Sequence, residues 1–145
     1  MVDDKAPHAV LVELIERLSG RWRVTGRGIE GEAEYKSMDA GRLLVASVDF
    51  VVNGTRMRVI QHITYDEDAA VLRADYMDTM GGKSIYTWTL DGKILRVSLG
   101  VGESDTYFEA AFKDDDSEYV GSWHYPDSAG DAAADERIVY KRIEH

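Results

Sequence analysis

The sequence of 145 residues contains no cysteine and has few positive charges. Without cysteine no disulfide can form, and zinc sites built on thiolates are excluded. Lysine and arginine together number 17 against 27 acidic residues, which gives a formal net charge of −10. This excess of negative charge argues against nucleic acid and anionic membrane surfaces as partners.

A long apolar run is also missing. Residues Met1 to Lys5 include two aspartates and lead into no hydrophobic stretch, so we expect neither a signal peptide nor a membrane span. A cytoplasmic location follows by default. The chain is long enough to bury a core, and we expect one domain over residues 1–145.

Motifs of catalysis and metal binding are lacking too. The sequence offers no convincing Ser-His-Asp or Cys-His arrangement, and no glycine-rich phosphate loop follows a predicted strand. The acidic run Asp114 to Asp116 lacks the spaced ligands of an EF-hand calcium loop. We therefore predict no catalytic residue, no metal site and no cofactor.

One segment, Pro7 to Leu18, predicts a helix. Its apolar residues recur at helical spacing and form one stripe: Val10, Leu11, Leu14, Ile15 and Leu18. Pro7 suits the first turn, and Ser19-Gly20 supplies the stop. The stripe must lie on an apolar surface, most simply one end of a barrel.

From Arg21 to Glu144 the chain alternates apolar and polar residues between turn signals, which predicts strands. They cover residues 22–29, 32–38, 42–52, 55–65, 70–78, 83–90, 93–99, 106–113, 118–125 and 136–144. Asn53-Gly54 and Asp91-Gly92 favour tight hairpins, because type I′ turns need positive φ. A meander with one apolar face must close to bury it. The sequence therefore predicts a mainly all-β fold, a ten-stranded antiparallel up-and-down barrel with one short N-terminal helix.

The turns also predict how the strands pair. Four turns give the inward pairs Phe50–Met57, Gln61–Ala74, Tyr86–Val97 and Phe108–Trp123. The first hairpin, by contrast, is expected to join near Gly31. His62 is expected to face outward, opposite Arg73. A slip of one residue at any of the four turns would bury charges instead of apolar side chains.

The predicted inward face combines aromatic side chains with small residues, among them Ala46, Ala74, Ala110 and Gly121. A ten-stranded barrel is wider than its own side chains comfortably fill. Aromatic rings with polar tips beside small residues suit a cavity for one small molecule. The predicted ligand-binding residues are Tyr35, Phe50, Gln61, Tyr76, Asp78, Tyr86, Trp88, Phe108 and Trp123. The alternative is that these side chains, together with Tyr119, only fill the core.

Asp78 allows two interpretations. It lies beside the turn Thr79 to Gly82, so its carboxylate would cap that turn. If it is instead buried between Tyr76 and Tyr86, its pKa should rise and it could orient a ligand or act as a base.

Four arginines are predicted to lie on the outer face: Arg56, Arg58, Arg73 and Arg96. Inward arginines could bind the carboxylate of a ligand such as a fatty acid through a bidentate contact. The outward placement therefore disfavours a carboxylate ligand.

The segment Gly20-Arg21-Trp22, directly after the predicted helix, resembles the G-x-W signature of lipocalin-like barrels. The chain is also similar to a bacterial single-domain lipocalin-like family of unknown function. The shared segments are Ile63 to Asp66, Asp78 to Gly81, Trp88 to Gly92 and Tyr140 to Arg142. The resemblance implies an up-and-down barrel with an internal pocket, and Arg142 stacked on Trp22 to close the barrel base. It implies no particular ligand.

The related haem-binding barrels of the nitrobindin type need an inward axial histidine near the last strands. This sequence has Val139, Tyr140 and Arg142 there, and His124 is expected on the outer face. Haem is therefore not predicted.

Three functions remain open from the sequence. The first is a protein that binds a small hydrophobic or amphipathic molecule. The second is an enzyme, an isomerase or decarboxylase acting on an aromatic or lipid-like substrate with Asp78 and Tyr76 or Tyr86. The third is a non-catalytic interaction module with a packed barrel, or a homodimer formed through an outer apolar patch of Ile85, Val139 and Ile143.

Overall fold

A computed structural model describes residues 8–101, 104–126 and 137–144. Within them the helix is α1 (Ala9–Leu18), and the strands are β1 (Gly20–Gly26), β2 (Ile29–Met38), β3 (Leu43–Val52), β4 (Thr55–Asp66), β5 (Val71–Asp78), β6 (Lys83–Asp91), β7 (Ile94–Leu99), β8 (Tyr107–Phe112), β9 (Glu118–His124) and β10 (Ile138–Glu144). A 3₁₀ turn at Asp39–Gly41 joins β2 to β3. Each strand pairs antiparallel with its sequence neighbours, and β1 pairs with β10 to close the barrel. The predicted fold class is confirmed.

Helix α1 covers most of the segment predicted to be helical. His8 is its N-cap, and the Nδ1 atom of His8 accepts a hydrogen bond from the backbone N–H of Val10 at 3.2 Å. Leu11, Leu14 and Leu18 form the buried stripe of the helix. The predicted start at residue 7 lies outside the described residues.

Two of the four predicted registers are confirmed. Phe50 pairs with Met57 between β3 and β4, and Phe108 pairs with Trp123 between β8 and β9. These are the hairpins whose turns have the length that the sequence predicts.

The other two registers are wrong by two residues. Gln61 pairs with Tyr76 rather than Ala74, because the turn after β4 has four residues and Ala70 takes a positive φ of 57°. The side chain of Asp66 stabilises this longer turn by accepting the N–H of Ala69 at 3.1 Å. His62 therefore faces outward opposite Asp75, not Arg73.

The turn after β6 is displaced for a different reason. Gly92 takes the first central position, with a φ of 62°, and Asp91 still belongs to the strand. Tyr86 therefore pairs with Leu99 instead of Val97. Because both displacements are even, every side chain keeps its predicted face.

The first hairpin also differs from the prediction. It turns at Arg27 and Gly28, where Gly28 has a φ of 72°, and not near Gly31. Gly31 lies inside β2 opposite Phe50. A Cβ atom there would collide with the Cβ of Phe50, so Gly31 serves close packing between strands rather than a turn.

The barrel has two ends with different surroundings. At the helix end, α1 leads into β1, and the turns after β2, β4, β6 and β8 lie beside it. The far end carries the turns after β1, β3, β5 and β7. The largest fully buried side chains are Trp22, Tyr119, Leu11, Leu14, Leu18, Leu44, Ile63, Leu72, Leu95 and Val24. Most belong to α1 or to the ends of strands beside it, so the core is densest at the helix end.

Candidate functional site in the barrel interior

On β3, β5, β7 and β9, inward-facing side chains become less buried from the helix end towards the far end. On β3, Leu44 is fully buried and Phe50 is half-buried. On β5, Leu72 is buried and Tyr76 is half-buried. Strands β7 and β9 show the same gradient along their inward faces, whereas on β10 Ile138 at the far end is buried and Arg142 at the helix end is half-buried. Inward side chains near the far end of these strands therefore keep contact with solvent.

The helix end is closed by Trp22 and Arg142. The Arg142 guanidinium carbon lies 4.2 Å from the centroid of the Trp22 ring, a cation–π contact. Arg142 also donates hydrogen bonds to the carbonyl oxygens of Ser19 and Arg17, at 2.8 and 2.7 Å. The Trp22 Nε1–H donates to the carbonyl oxygen of Leu18 at 2.8 Å. These bonds satisfy carbonyls at the C-terminus of α1 and tie the helix to the barrel base.

In the middle of the barrel, hydroxyl and amide groups hold the aromatic rings in place. The hydroxyls of Tyr35 and Tyr119 are 2.8 Å apart and hydrogen-bonded. Burial raises the pKa of Tyr35 to about 12, although the hydrogen bond with Tyr119 works against that rise. The Trp88 Nε1–H donates to the Oε1 atom of Gln61 at 3.0 Å. Gln61 thus faces inward as predicted, and it holds the Trp88 ring.

Tyr140 lies deep in the barrel but keeps exposed surface. Its ring stacks on Tyr119 with centroids 4.4 Å apart, and burial raises its pKa. Both of its strand partners, Val24 and Tyr119, are fully buried, whereas Tyr140 is only half-buried. Among the described residues no buried side-chain polar atom lacks a hydrogen bond, and no described residue bonds the Tyr140 hydroxyl. Part of this hydroxyl is therefore accessible to solvent.

At the far end a row of aromatic rings surrounds one carboxylate. Tyr76 and Tyr86 have ring centroids 5.3 Å apart, and Tyr86 and Trp123 have centroids 6.0 Å apart. The Tyr76 hydroxyl donates to the Oδ2 atom of Asp78 at 2.6 Å. Tyr125 continues the row, with its ring 6.3 Å from that of Trp123. We call Tyr76, Asp78, Tyr86 and Trp123 the far-end cluster.

The Asp78 carboxylate caps its turn and also belongs to the far-end cluster. Its Oδ1 atom accepts the backbone N–H groups of Met80 and Gly82, both at 2.9 Å. The hydrogen bond from Tyr76, followed by that from Gly82, holds the pKa of Asp78 below its usual range. This carboxylate is ionised and stabilised as an anion, whereas the hypothesis of a general base required a raised pKa. The geometry favours the turn-capping interpretation.

Phe108 and Phe50 complete the predicted set. Phe108 joins the middle of the barrel to the far end, since its ring lies 5.6 Å from Trp123 and 6.2 Å from Tyr140. Phe50 lies two residues from the end of β3, opposite Met57. Tyr35, Trp88 and Gln61 lie deeper, so the nine predicted residues divide between the middle and the far end.

The outward residues follow their predicted faces. His62 is exposed, and His124 stacks on Tyr107 with ring centroids 4.8 Å apart. Arginines on the outer face form ion pairs there, for example Arg56 with Asp49 at 2.8 Å.

The three residues of the predicted dimer patch do not form one surface. Ile85 lies on β6 whereas Val139 and Ile143 lie on β10, and three strands separate β6 from β10.

Sequence reasoning missed two inward residues. Tyr140 is named from the sequence only in a shared segment and at the place of a haem ligand. Its face stays open at that stage, because the long connection after Pro126 breaks the count that would pair β10 with β9. Most of that connection, residues 127–136, lies outside the described residues. Tyr125 could have been found, since it follows Trp123 by two residues and continues the same alternation.

The described part of the chain contains neither a candidate membrane-spanning helix nor a candidate metal site. No helix there is long and apolar enough to cross a membrane. No three histidine, aspartate or glutamate side chains converge there in a way that could hold a metal ion.

Comparison with known proteins adds no assignment. A scan against models of protein families finds no match. A search of curated proteins likewise finds no significantly similar sequence. The function of this barrel must therefore be argued from its own residues.

Proposed function

We propose that this protein binds a small hydrophobic or aromatic molecule inside the barrel, admitted at the far end. The observation that carries the proposal is the burial gradient on β3, β5, β7 and β9, in which inward side chains are buried beside α1 and half-buried or exposed towards the far end. The lipocalin-like resemblance also implies an internal pocket, with the barrel base closed by Trp22 and Arg142.

The chemistry of the interior supports a ligand with an apolar body and a polar part. Aromatic rings supply large, rigid contact area, and tyrosine hydroxyls supply hydrogen bonds at defined points. The Tyr140 hydroxyl is one such point, because no described residue bonds it. The Tyr35 hydroxyl is already bonded to Tyr119, so it shapes the wall. The Gln61 Oε1 atom is bonded to Trp88, but the Gln61 Nε2 group donates to no described residue and is a second such point.

A fluorescent probe tests the proposal. N-phenyl-1-naphthylamine is small, aromatic and uncharged, and its emission rises in apolar surroundings. We expect it to bind saturably at one site per chain. Val48→Phe places a larger side chain in the accessible half of the interior, because Val48 is inward and half-buried. This variant should weaken probe binding by roughly tenfold or more, because the phenyl ring takes up space that the bound probe would fill.

The matched control is Val51→Phe on the same strand. Val51 is 42% exposed and faces outward opposite Arg56. This variant should bind the probe like the unmodified protein. Absence of saturable binding would favour the interaction module with a packed barrel. Equal loss in both variants would place the probe on the outer surface, and the proposal would then be wrong.

A further inference from the structure

The far-end cluster combines two features that recognise the same chemistry. Aromatic rings carry negative charge on their faces and attract cations positioned over them. Tyr76, Tyr86 and Trp123 form a continuous row of such rings. The Asp78 carboxylate lies within hydrogen-bond distance of the first of them.

The charge of Asp78 is not neutralised by a basic side chain. Among the described residues Asp78 forms no ion pair, and its hydrogen bonds come from Tyr76, Met80 and Gly82. These neutral donors keep the carboxylate ionised without cancelling its charge. Their effect on the pKa of Asp78 is to lower it, so the charge persists at neutral pH.

The charge of the whole chain and the placement of the nearby arginines also favour a cationic ligand. The formal net charge of the chain is −10, which raises the local concentration of cations near the barrel. Arg56, Arg58 and Asp49 share an ion-pair group on the outer face, so these two arginines are engaged away from the interior.

We infer that the molecule bound by this barrel is a cationic amphipath, with its ammonium group held by the far-end cluster and its apolar body in the interior. Asp78 supplies the opposite charge, and the faces of Tyr76, Tyr86 and Trp123 surround the ammonium group. This inference rests on the proposed function and names its ligand class.

Three amphipaths with the same decyl chain test the inference, each used below its micelle concentration. They carry a trimethylammonium, a glucoside or a sulfate head group, and calorimetric titration measures their affinities. We expect decyltrimethylammonium to bind about tenfold more tightly than decyl glucoside, and decyl sulfate to bind most weakly.

Two aspartate variants separate a specific contact from the general negative field. Asp78→Asn should weaken the binding of decyltrimethylammonium about tenfold and leave decyl glucoside unchanged. Asp75→Asn removes the same charge from the outer face of the same strand, where Asp75 is 67% exposed, and should change neither affinity. The glucoside also reports whether the interior of Asp78→Asn is intact. Trp123→Leu should weaken binding of the cation more than binding of the glucoside. Leucine keeps an apolar side chain, but it removes the ring face that attracts the ammonium group.

The outcomes keep the two proposals apart. If all three amphipaths bind the unmodified protein equally, the interior binds ligands but the cation preference is wrong. If Asp78→Asn and Asp75→Asn weaken the binding of decyltrimethylammonium equally, the negative field of the whole chain attracts the cation and the far-end cluster does not. If none of the three binds and N-phenyl-1-naphthylamine also fails to bind, both the inference and the proposed function are overturned.

Discussion

The two ends of the barrel use aromatic residues in opposite ways. At the helix end Trp22 is fully buried, its indole N–H is bonded to Leu18, and Arg142 covers its face. At the far end Trp123 is half-buried, and its neighbours Tyr86 and Tyr125 are also partly exposed. The same residue type therefore closes one end and lines the other. The difference lies in what covers each ring. A helix and an arginine cover Trp22, whereas Trp123 is left partly open to solvent.

The largest expected effect separates the two tryptophans. Trp22→Ala should lower the free energy of unfolding by about 3–5 kcal/mol, because it leaves a large cavity in a fully buried core. Trp123→Ala should lower it by only about 1–2 kcal/mol, since less apolar surface is buried there. Urea denaturation followed by circular dichroism measures both. Equal losses would show that the two ends are packed alike.

The second prediction concerns the contact that closes the helix end. Arg142→Ala should destabilise the protein by about 2 kcal/mol, because two carbonyl groups lose charged donors and Trp22 loses its cover. Lys141→Ala is the matched control on the same strand, where Lys141 is exposed and should change stability by less than about 0.5 kcal/mol. A loss in the control as large as in Arg142→Ala would mean that the barrel base is not closed by Arg142.

Alkaline pH provides a third test of the buried interior. The pKa of Tyr35 is about 12 in the folded protein against 10.0 as its ordinary value, so the unfolded chain ionises first. The associated stability is complete below pH 10 and is lost as the pH rises towards 12, by an amount on the order of 2 kcal/mol. Unfolding free energies measured across this range should fall less steeply in Tyr35→Phe. An identical slope in both proteins would contradict the burial of this hydroxyl.

The smallest effect concerns the hydrogen bond between Tyr35 and Tyr119. Tyr35→Phe should cost about 1 kcal/mol, because the Tyr119 hydroxyl is left buried without a partner. The double variant with Tyr119→Phe should lose less than the sum of the single losses, since no unpaired hydroxyl then remains. A double-mutant cycle of unfolding free energies checks this. Simple additivity would show that the two hydroxyls do not interact.

The fold could be predicted because its information is local. Alternating residues and glycine or aspartate turns define strands and faces without reference to distant contacts. The register errors arose where a turn broke the usual rule: Ala70 takes a positive φ that only its structural context favours, and Gly92 takes the first central position of its turn while Asp91 stays in the strand. Both errors preserved the faces, so the inward aromatic residues were still found.

The division between the two ends could not be predicted from the sequence. It depends on how deeply each inward ring is covered, which follows from the position of α1 and from the pairing of β10 with β1 and β9. Because the connection before β10 is long, the pairing of β10 cannot be predicted by counting residues from a turn. The two roles of Asp78 could not be predicted together either. The sequence presented them as alternatives, whereas in the structure the hydrogen bond from Tyr76 and the turn-capping bonds coexist.

The central claim is that a ligand enters at the far end and does not reach the closed base. The three tryptophans of the chain lie at the base, in the middle and at the far end, as Trp22, Trp88 and Trp123. Their indole N–H signals can be followed by nuclear magnetic resonance during titration with N-phenyl-1-naphthylamine, after assignment by single Trp→Phe substitutions. We predict a large shift for Trp123, a smaller one for Trp88 and none for Trp22. A shift confined to Trp22, or saturable probe binding that leaves all three signals unchanged, would contradict the account.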